Sequence, residues 1–144
     1  MLLEQNKVLV RRLFDEDLNE GDLVARSRAA DEIVAFDFID HTNPPGLQHG
    51  LESHKQIVTI LHNAFSDLRW DCETPIAEGD KVAVRVMMHG THGGEFFGIP
   101  PTGKRVTVSG IHILRIANGK IVEHWGNNDD LGMMQQLGVA PVMA

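Results

Sequence analysis

The hydrophobic period of this chain changes once. Up to Phe65 apolar residues recur every three to four positions, and from Arg69 onward they recur every second position. The first period belongs to amphipathic helices and the second to strands with one buried face. Helices first and strands second restrict the chain to an α+β architecture, because a doubly wound parallel sheet needs the two to alternate. Val8, Leu9, Leu13 and Leu18, with Val10 and Phe14, place a first helix over Asn6–Leu18 that ends near Glu20-Gly21. Asp22 can cap a second helix running to about Ala35. Phe36–His41 reads as a short extended piece before the turn Asn43-Pro44-Pro45-Gly46. A third helix over Glu52–Phe65 has Ile57, Ile60, Leu61, Ala64 and Phe65 as its buried stripe.

Strands are expected at Arg69–Ala77, Lys81–His89, Lys104–Ile116 and Lys120–Gly126, the clearest being Val82, Val84, Val86 and Met88 in alternation. Glu78-Gly79-Asp80 and Asn118-Gly119 mark hairpins, which make the strands they join antiparallel. A last helix, Asp129–Leu137, closes the chain. With 144 residues and no repeat or linker, residues 1–144 read as one domain with a real core. A net charge of −7, with only Arg11-Arg12 and Lys104-Arg105 as basic pairs, opposes a nucleic-acid role. No stretch approaches the roughly 18 apolar residues of a membrane span, and Met1–Lys7 lacks a signal peptide's apolar run. The single Cys72 has no partner for a disulfide or a zinc site. The expectation is a soluble, cytoplasmic protein.

Candidate chemistry concentrates between Glu95 and Gly138. His112 shares a strand face with Val108, Gly110, Leu114 and Ile116, as a pocket group or as a satisfied core residue. On the next strand Val122, His124 and Gly126 share one face, opposite Ile121, Glu123 and Trp125. With a plain two-residue turn at Asn118-Gly119, His112 would lie opposite Trp125; a one-residue bulge at Gly119 brings it to the face of His124 and Gly126. The bulge is the preferred expectation, placing His112, His124 and Asp129 around one cavity, where two imidazoles and a carboxylate could shuttle a proton. Asp129 is equally a helix cap. His41 is a second pocket candidate, or a surface turn residue. Arg85 clamps an anion or pairs with an acid across the sheet. His89 and His92 lack a third ligand, so no metal is expected. His49, His54 and His62 read as solvent-facing or helix-edge residues, Glu95 as an edge or dimer contact, and Phe96-Phe97 as packing. Dinucleotide, phosphate-loop and serine-elbow patterns are absent. That leaves cofactor-free proton transfer on a carbonyl compound as the expected chemistry.

Glu95-Phe96-Phe97-Gly98-Ile99-Pro100-Pro101-Thr102-Gly103-Lys104, Ile111-His112-Ile113, Gly119-Lys120-Ile121-Val122-Glu123-His124-Trp125 and Gln136-Leu137-Gly138 resemble the SnoaL-like polyketide cyclases, or ester cyclases, of the nuclear transport factor 2-like superfamily. The His41 region and Phe65-Ser66-Asp67-Leu68 extend the resemblance over almost the whole chain. It implies a cone: helices packed on a strongly curved, mostly antiparallel sheet enclosing an apolar cavity, in a homodimer or higher homo-oligomer. It implies an intramolecular aldol closure of a polyketide ester without metal or cofactor, with an aspartate as acid/base and a strand histidine at the substrate oxygen. The histidine matches His112. The aspartate's place falls on Gly126, with Asp129 on another acidic position three residues later. The resulting expectation is a cyclase- or isomerase-like enzyme in which His112 polarises an oxygen, His124 or Asp129 moves the proton, and His41, Arg85 and Trp125 contact a hydrophobic carbonyl or polyketide-like ligand. The alternative is a binding or accessory protein that has kept the cavity and lost the acid/base group. Epoxide hydrolysis would want an Asp-Arg-Asp set that Arg85 alone does not supply.

Overall fold

The computed structural model describes residues 2–43 and 48–140. The expected turn at Pro44-Pro45-Gly46 lies outside the described residues. Helix α1 (Leu2–Arg12) begins four residues earlier than the apolar pattern suggests, because Leu2 and Leu3 are exposed and carry no buried stripe. It widens into a π-helical segment, Leu13–Leu18, closed by the Asn19 N–H on the Phe14 carbonyl at 2.8 Å. Val10, Leu13, Phe14 and Asp17 share its buried face, whereas Val8 of the expected stripe is exposed. Asp22 caps α2 (Leu23–Ile33) by accepting a hydrogen bond from the Ala25 N–H, as its residue type and place suggest. The chain then passes into β1 (Val34–Asp40), two residues longer at its start than expected, and into α3 (Leu51–Ala64). On α3 Ala64 of the expected stripe is fully buried, and so is Val58, which lies outside that stripe.

The expected strand over Arg69–Ala77 is two strands, β2 (Arg69–Cys72) and β3 (Ile76–Glu78), both paired with β4 (Lys81–Thr91). Between them lies Pro75, which has no N–H to give to a ladder. β5 (Arg105–Ala117) and β6 (Lys120–Asn128) complete a sheet ordered β1-β6-β5-β4-β2, and α4 (Asp130–Leu137) follows. All pairs are antiparallel except β1 with β6, which run parallel. The helices cover the inner face of the sheet. There Val82, Val84, Val86, Val108, Leu114 and Ile121 pack against Val10, Phe14, Ile33 and Phe65 in one core.

The hairpin between β5 and β6 corrects one expectation. Asn118 and Gly119 both have positive φ, 53° and 75°, and Ala117 pairs directly with Lys120. This is the plain two-residue turn, which the right-handed twist of the strands favours. The bulge sits further on: Ile116 pairs with Ile121 and Arg115 with Glu123, leaving Val122 as the extra residue. Its effect on side-chain parity is the one expected from a bulge at Gly119, and His112 pairs with Gly126.

Candidate functional site

Between helices and sheet lies a pocket of about 530 Å³. Its wall is mostly apolar, with Phe14, Phe38, Val58, Leu61, Trp70 and Met133 among its lining residues. The polar groups in it come largely from the ends of β1 and β6. Parallel pairing sets Asp40 beside His124, while the Val122 bulge turns His124 inward next to His112. The result is a continuous string. His112 Nε2 lies 2.9 Å from Asn128 Oδ1, His112 Nδ1 lies 2.7 Å from His124 Nε2, and His124 Nδ1 lies 3.0 Å from Asp40 Oδ1. The two imidazoles are stacked with centroids 4.9 Å apart. Asp40 also accepts hydrogen bonds from the Thr42 N–H and hydroxyl.

Proton counting follows from the ends of this string. A carboxylate and an amide oxygen can only accept, so His124 Nδ1 and His112 Nε2 both carry hydrogens. The bond between the rings needs a third. Two neutral imidazoles carry two such hydrogens, so with the Asn128 oxygen facing His112 the string closes fully only when one ring is protonated, and the Asp40 carboxylate stands beside His124 to balance that charge. A further proton is resisted: burial and the charge on His124 push His112 down to about 4, against the smaller opposing effects of Asn128 and Asp40. Burial alone would raise the Asp40 carboxyl, but the hydrogen bond and charge of His124, with those from Thr42, outweigh it and hold it at about 2.

Two glycines make room for the string. A Cβ on Gly126 would stand 2.7 Å from His112 Nδ1 and 3.1 Å from the Thr42 methyl, and a Cβ on Gly110 would run into the Asn128 amide. The Gly126→Asp variant, which puts a carboxyl where the resemblance places the family's aspartate, therefore has to displace His112. Overpacking of this kind costs about 1–3 kcal/mol. Chemical denaturation should show that loss, with no gain of activity.

The other expected site residues lie elsewhere. Asp129 caps α4, accepting from the Gly132 N–H at 2.9 Å, and does not line the pocket; its neighbour Asp130 does. Asp129→Ala should cost about 1 kcal/mol in a denaturant melt, the usual value of such a cap, and leave activity unchanged. His41 is half-exposed outside the pocket, 2.6 Å from Glu123 and stacked on Trp125 with ring centroids 5.1 Å apart. Trp125 faces away from the cavity with Ile113, its partner on β5. Arg85 is exposed and pairs with Glu73 at 2.9 Å, the cross-sheet acid pair of its two expected readings. His89 pairs with Asp71 at 3.0 Å, and buried His92 bonds Thr102. Among the described residues no cluster of three His, Cys, Asp or Glu side chains could hold a metal ion.

Three pocket features were missed in the sequence. Asp40 ends a strand whose parallel partner is more than eighty residues away, a pairing that no local signal reveals. His54, expected at a helix edge, is instead buried at 7% exposure and lies 2.6 Å from Asp17 Oδ2, itself 2% exposed. A signal existed here: Asp17 continues the stripe Val10, Leu13, Phe14, and His54 opens the stripe Val58, Leu61, each as a polar residue on an apolar helix face. Phe96 and Phe97 line the pocket, on a tight turn that holds Phe97 at φ 45° and Gly98 at φ 84°. The doublet Phe-Phe before glycine was a usable turn signal.

Comparison with known proteins bears on the family and the fold. Residues 8–137 match the SnoaL-like polyketide cyclase family. The chain is 35% identical over 136 residues to the aklanonic acid methyl ester cyclase DnrD of Streptomyces peucetius, covering 90% of this chain and 88% of that protein. It is 32% identical over 113 residues to the nogalonic acid methyl ester cyclase of Streptomyces nogalater, covering 75% and 84%. Among solved structures, TsrD from Streptomyces laurentii superposes with a TM-score of 0.84 at 27% identity, covering 95% of this chain and 97% of that one.

Proposed function

We propose, from the premise that this chain belongs to the SnoaL-like polyketide cyclase family, that it closes a ring in an apolar polyketide-like ester by cofactor-free proton transfer. In such an intramolecular aldol step an α-carbon loses a proton, the resulting enolate carbon bonds to a second carbonyl carbon, and that carbonyl oxygen gains a proton. The product is an isomer of the substrate. The observation that carries this reading is the hydrogen-bonded His112–His124 pair, backed by Asp40, facing an apolar pocket. When the substrate oxygen displaces the Asn128 amide oxygen, the His112 Nε2–H points at it and stabilises the charge of the enolate. The hydrogen bond between His112 Nδ1 and His124 Nε2 supports that donor from behind, and Asp40 keeps His124 oriented. Neither ring needs a metal for this.

The pocket's size and apolar lining support a sizeable apolar methyl ester as substrate, the class named for the two cyclases above. Exposed Phe36, Ile111 and Ile113 on the outer sheet face support a homodimer formed through the sheet. The lone Cys72 supports a cytoplasmic setting, and no helix among the described residues is long and apolar enough to cross a membrane. The test is direct: aklanonic acid methyl ester incubated with the protein should give a product of unchanged mass and altered retention. His112→Asn should cut kcat/KM by about a hundred-fold or more, the usual effect of losing an oxyanion donor. An unchanged ester in the presence of wild-type protein rejects the reading.

A further inference from the structure

The strand histidines spend all four ring nitrogens on each other, on Asp40 and on Asn128, so the string offers a hydrogen to a substrate oxygen but no lone pair to a carbon-bound proton. The acceptor has to come from another part of the wall. His54, in the first turn of α3, lines the same pocket. Its Nε2 is 2.6 Å from Asp17 Oδ2, and among the described residues its Nδ1 has no hydrogen-bond partner. A buried carboxylate behind one nitrogen fixes the proton there, leaves the lone pair on the other, and stabilises the imidazolium that forms when that lone pair takes a proton. Asp17 is brought inward by the π-helical segment Leu13–Leu18, a kind of widened turn that recurs at functional sites. Phe38 connects the two polar groups of the pocket: it meets His54 edge-on at 5.7 Å and lies nearly parallel to His124 at 6.5 Å. The pocket thus holds a donor of hydrogen at one place and an acceptor of protons at another, with an apolar ring between.

We propose that His54, held by Asp17, is the acid/base residue of this pocket, acting on a carbon acid whose carbonyl oxygen is bound at His112; this rests on the function proposed above. His54 Nδ1 takes the α-proton, so that the C–H bond breaks and an N–H bond forms, while the electron pair moves onto the oxygen facing His112 Nε2–H. The enolate carbon then bonds to the second carbonyl carbon, and the alkoxide so formed receives the proton back from His54. The residue ends as it began, and no other reactant is consumed. The ligand class is accordingly a 1,3-dicarbonyl or similarly activated ester with a second carbonyl within reach of ring closure. Asp17 acts through His54 as a positioning residue.

The test uses the full-length protein, aklanonic acid methyl ester in deuterated water, and two readouts: deuterium entering the α-position and ring closure. His54→Gln, whose amide can still donate to Asp17 but cannot take a proton, should lose both by roughly a hundred- to ten-thousand-fold. Asp17→Asn should lower kcat with KM unchanged, which a merely structural partner would not do. His54→Ala should regain part of the lost rate with added imidazole. Wild-type kcat in His54→Gln, or kcat and KM unaltered in Asp17→Asn, overturns the dyad's role even if His112→Asn abolishes closure. No turnover by the wild-type protein overturns both this inference and the function it rests on.

Discussion

Asp40→Ala is expected to lower the stability of the fold by about 3–5 kcal/mol, the usual cost of removing one member of a buried ion pair. Asp40 is 7% exposed, and its carboxylate accepts from His124 Nδ1 and from both Thr42 donors. The variant leaves the charge of the histidine pair without its counter-charge and the Thr42 N–H without its acceptor. Asp40→Asn keeps an oxygen in the same place and should cost less. Urea denaturation of the two variants separates charge from hydrogen bonding. Equal and small losses would mean that the string does not carry the charge assigned to it.

The second large effect is on acid stability. Because the folded-state pKa of His112 is about 4 against an ordinary 6.5, the unfolded chain takes up the proton first as pH falls. Its stabilising contribution is complete above about pH 6.5 and is lost between there and about pH 4. At about 1.4 kcal/mol per pKa unit, the loss is roughly 3 kcal/mol. Asp40 follows in a lower window. Its pKa is held at about 2 against 3.8, so its contribution is present above 3.8 and is lost as pH falls toward 2. Melting temperatures measured from pH 7 to 3 should fall in two stages, and His112→Asn should flatten the upper stage alone. A wild-type profile flat between pH 6.5 and 4 would contradict the buried, neutral His112.

Both effects arise where strand parity meets long-range pairing, and this is also where sequence and structure part. The face that His112 occupies was legible from its alternation with Val108 and Leu114. The side of β6 that faces it depended on one extra residue, and the expectation of a bulge was right in its consequence and wrong in its position. Asn118-Gly119 is a strong signal for a tight turn, so the extra residue had to be absorbed in the strand, at Val122. Asp129 had two readings from sequence, and the geometry of the α4 N-terminus shows that its carboxylate caps the helix. His41, Arg85 and Trp125 were drawn toward the pocket by residue type, but the outer face of the sheet offered each a partner at the surface.

The sequence by itself determined the change from helical to alternating period, hence the α+β class, most element positions, and, through motifs spread over nearly the full length, the family. These are local or patterned properties, written in neighbouring residues. Only the tertiary structure decided which polar side chains share the cavity. Asp40 reaches His124 through a parallel pairing across most of the chain, and Asp17 reaches His54 because two helices turn their apolar stripes toward the same space. Gly126 reads as a missing carboxylate in the sequence; in the fold it is the space that His112 fills.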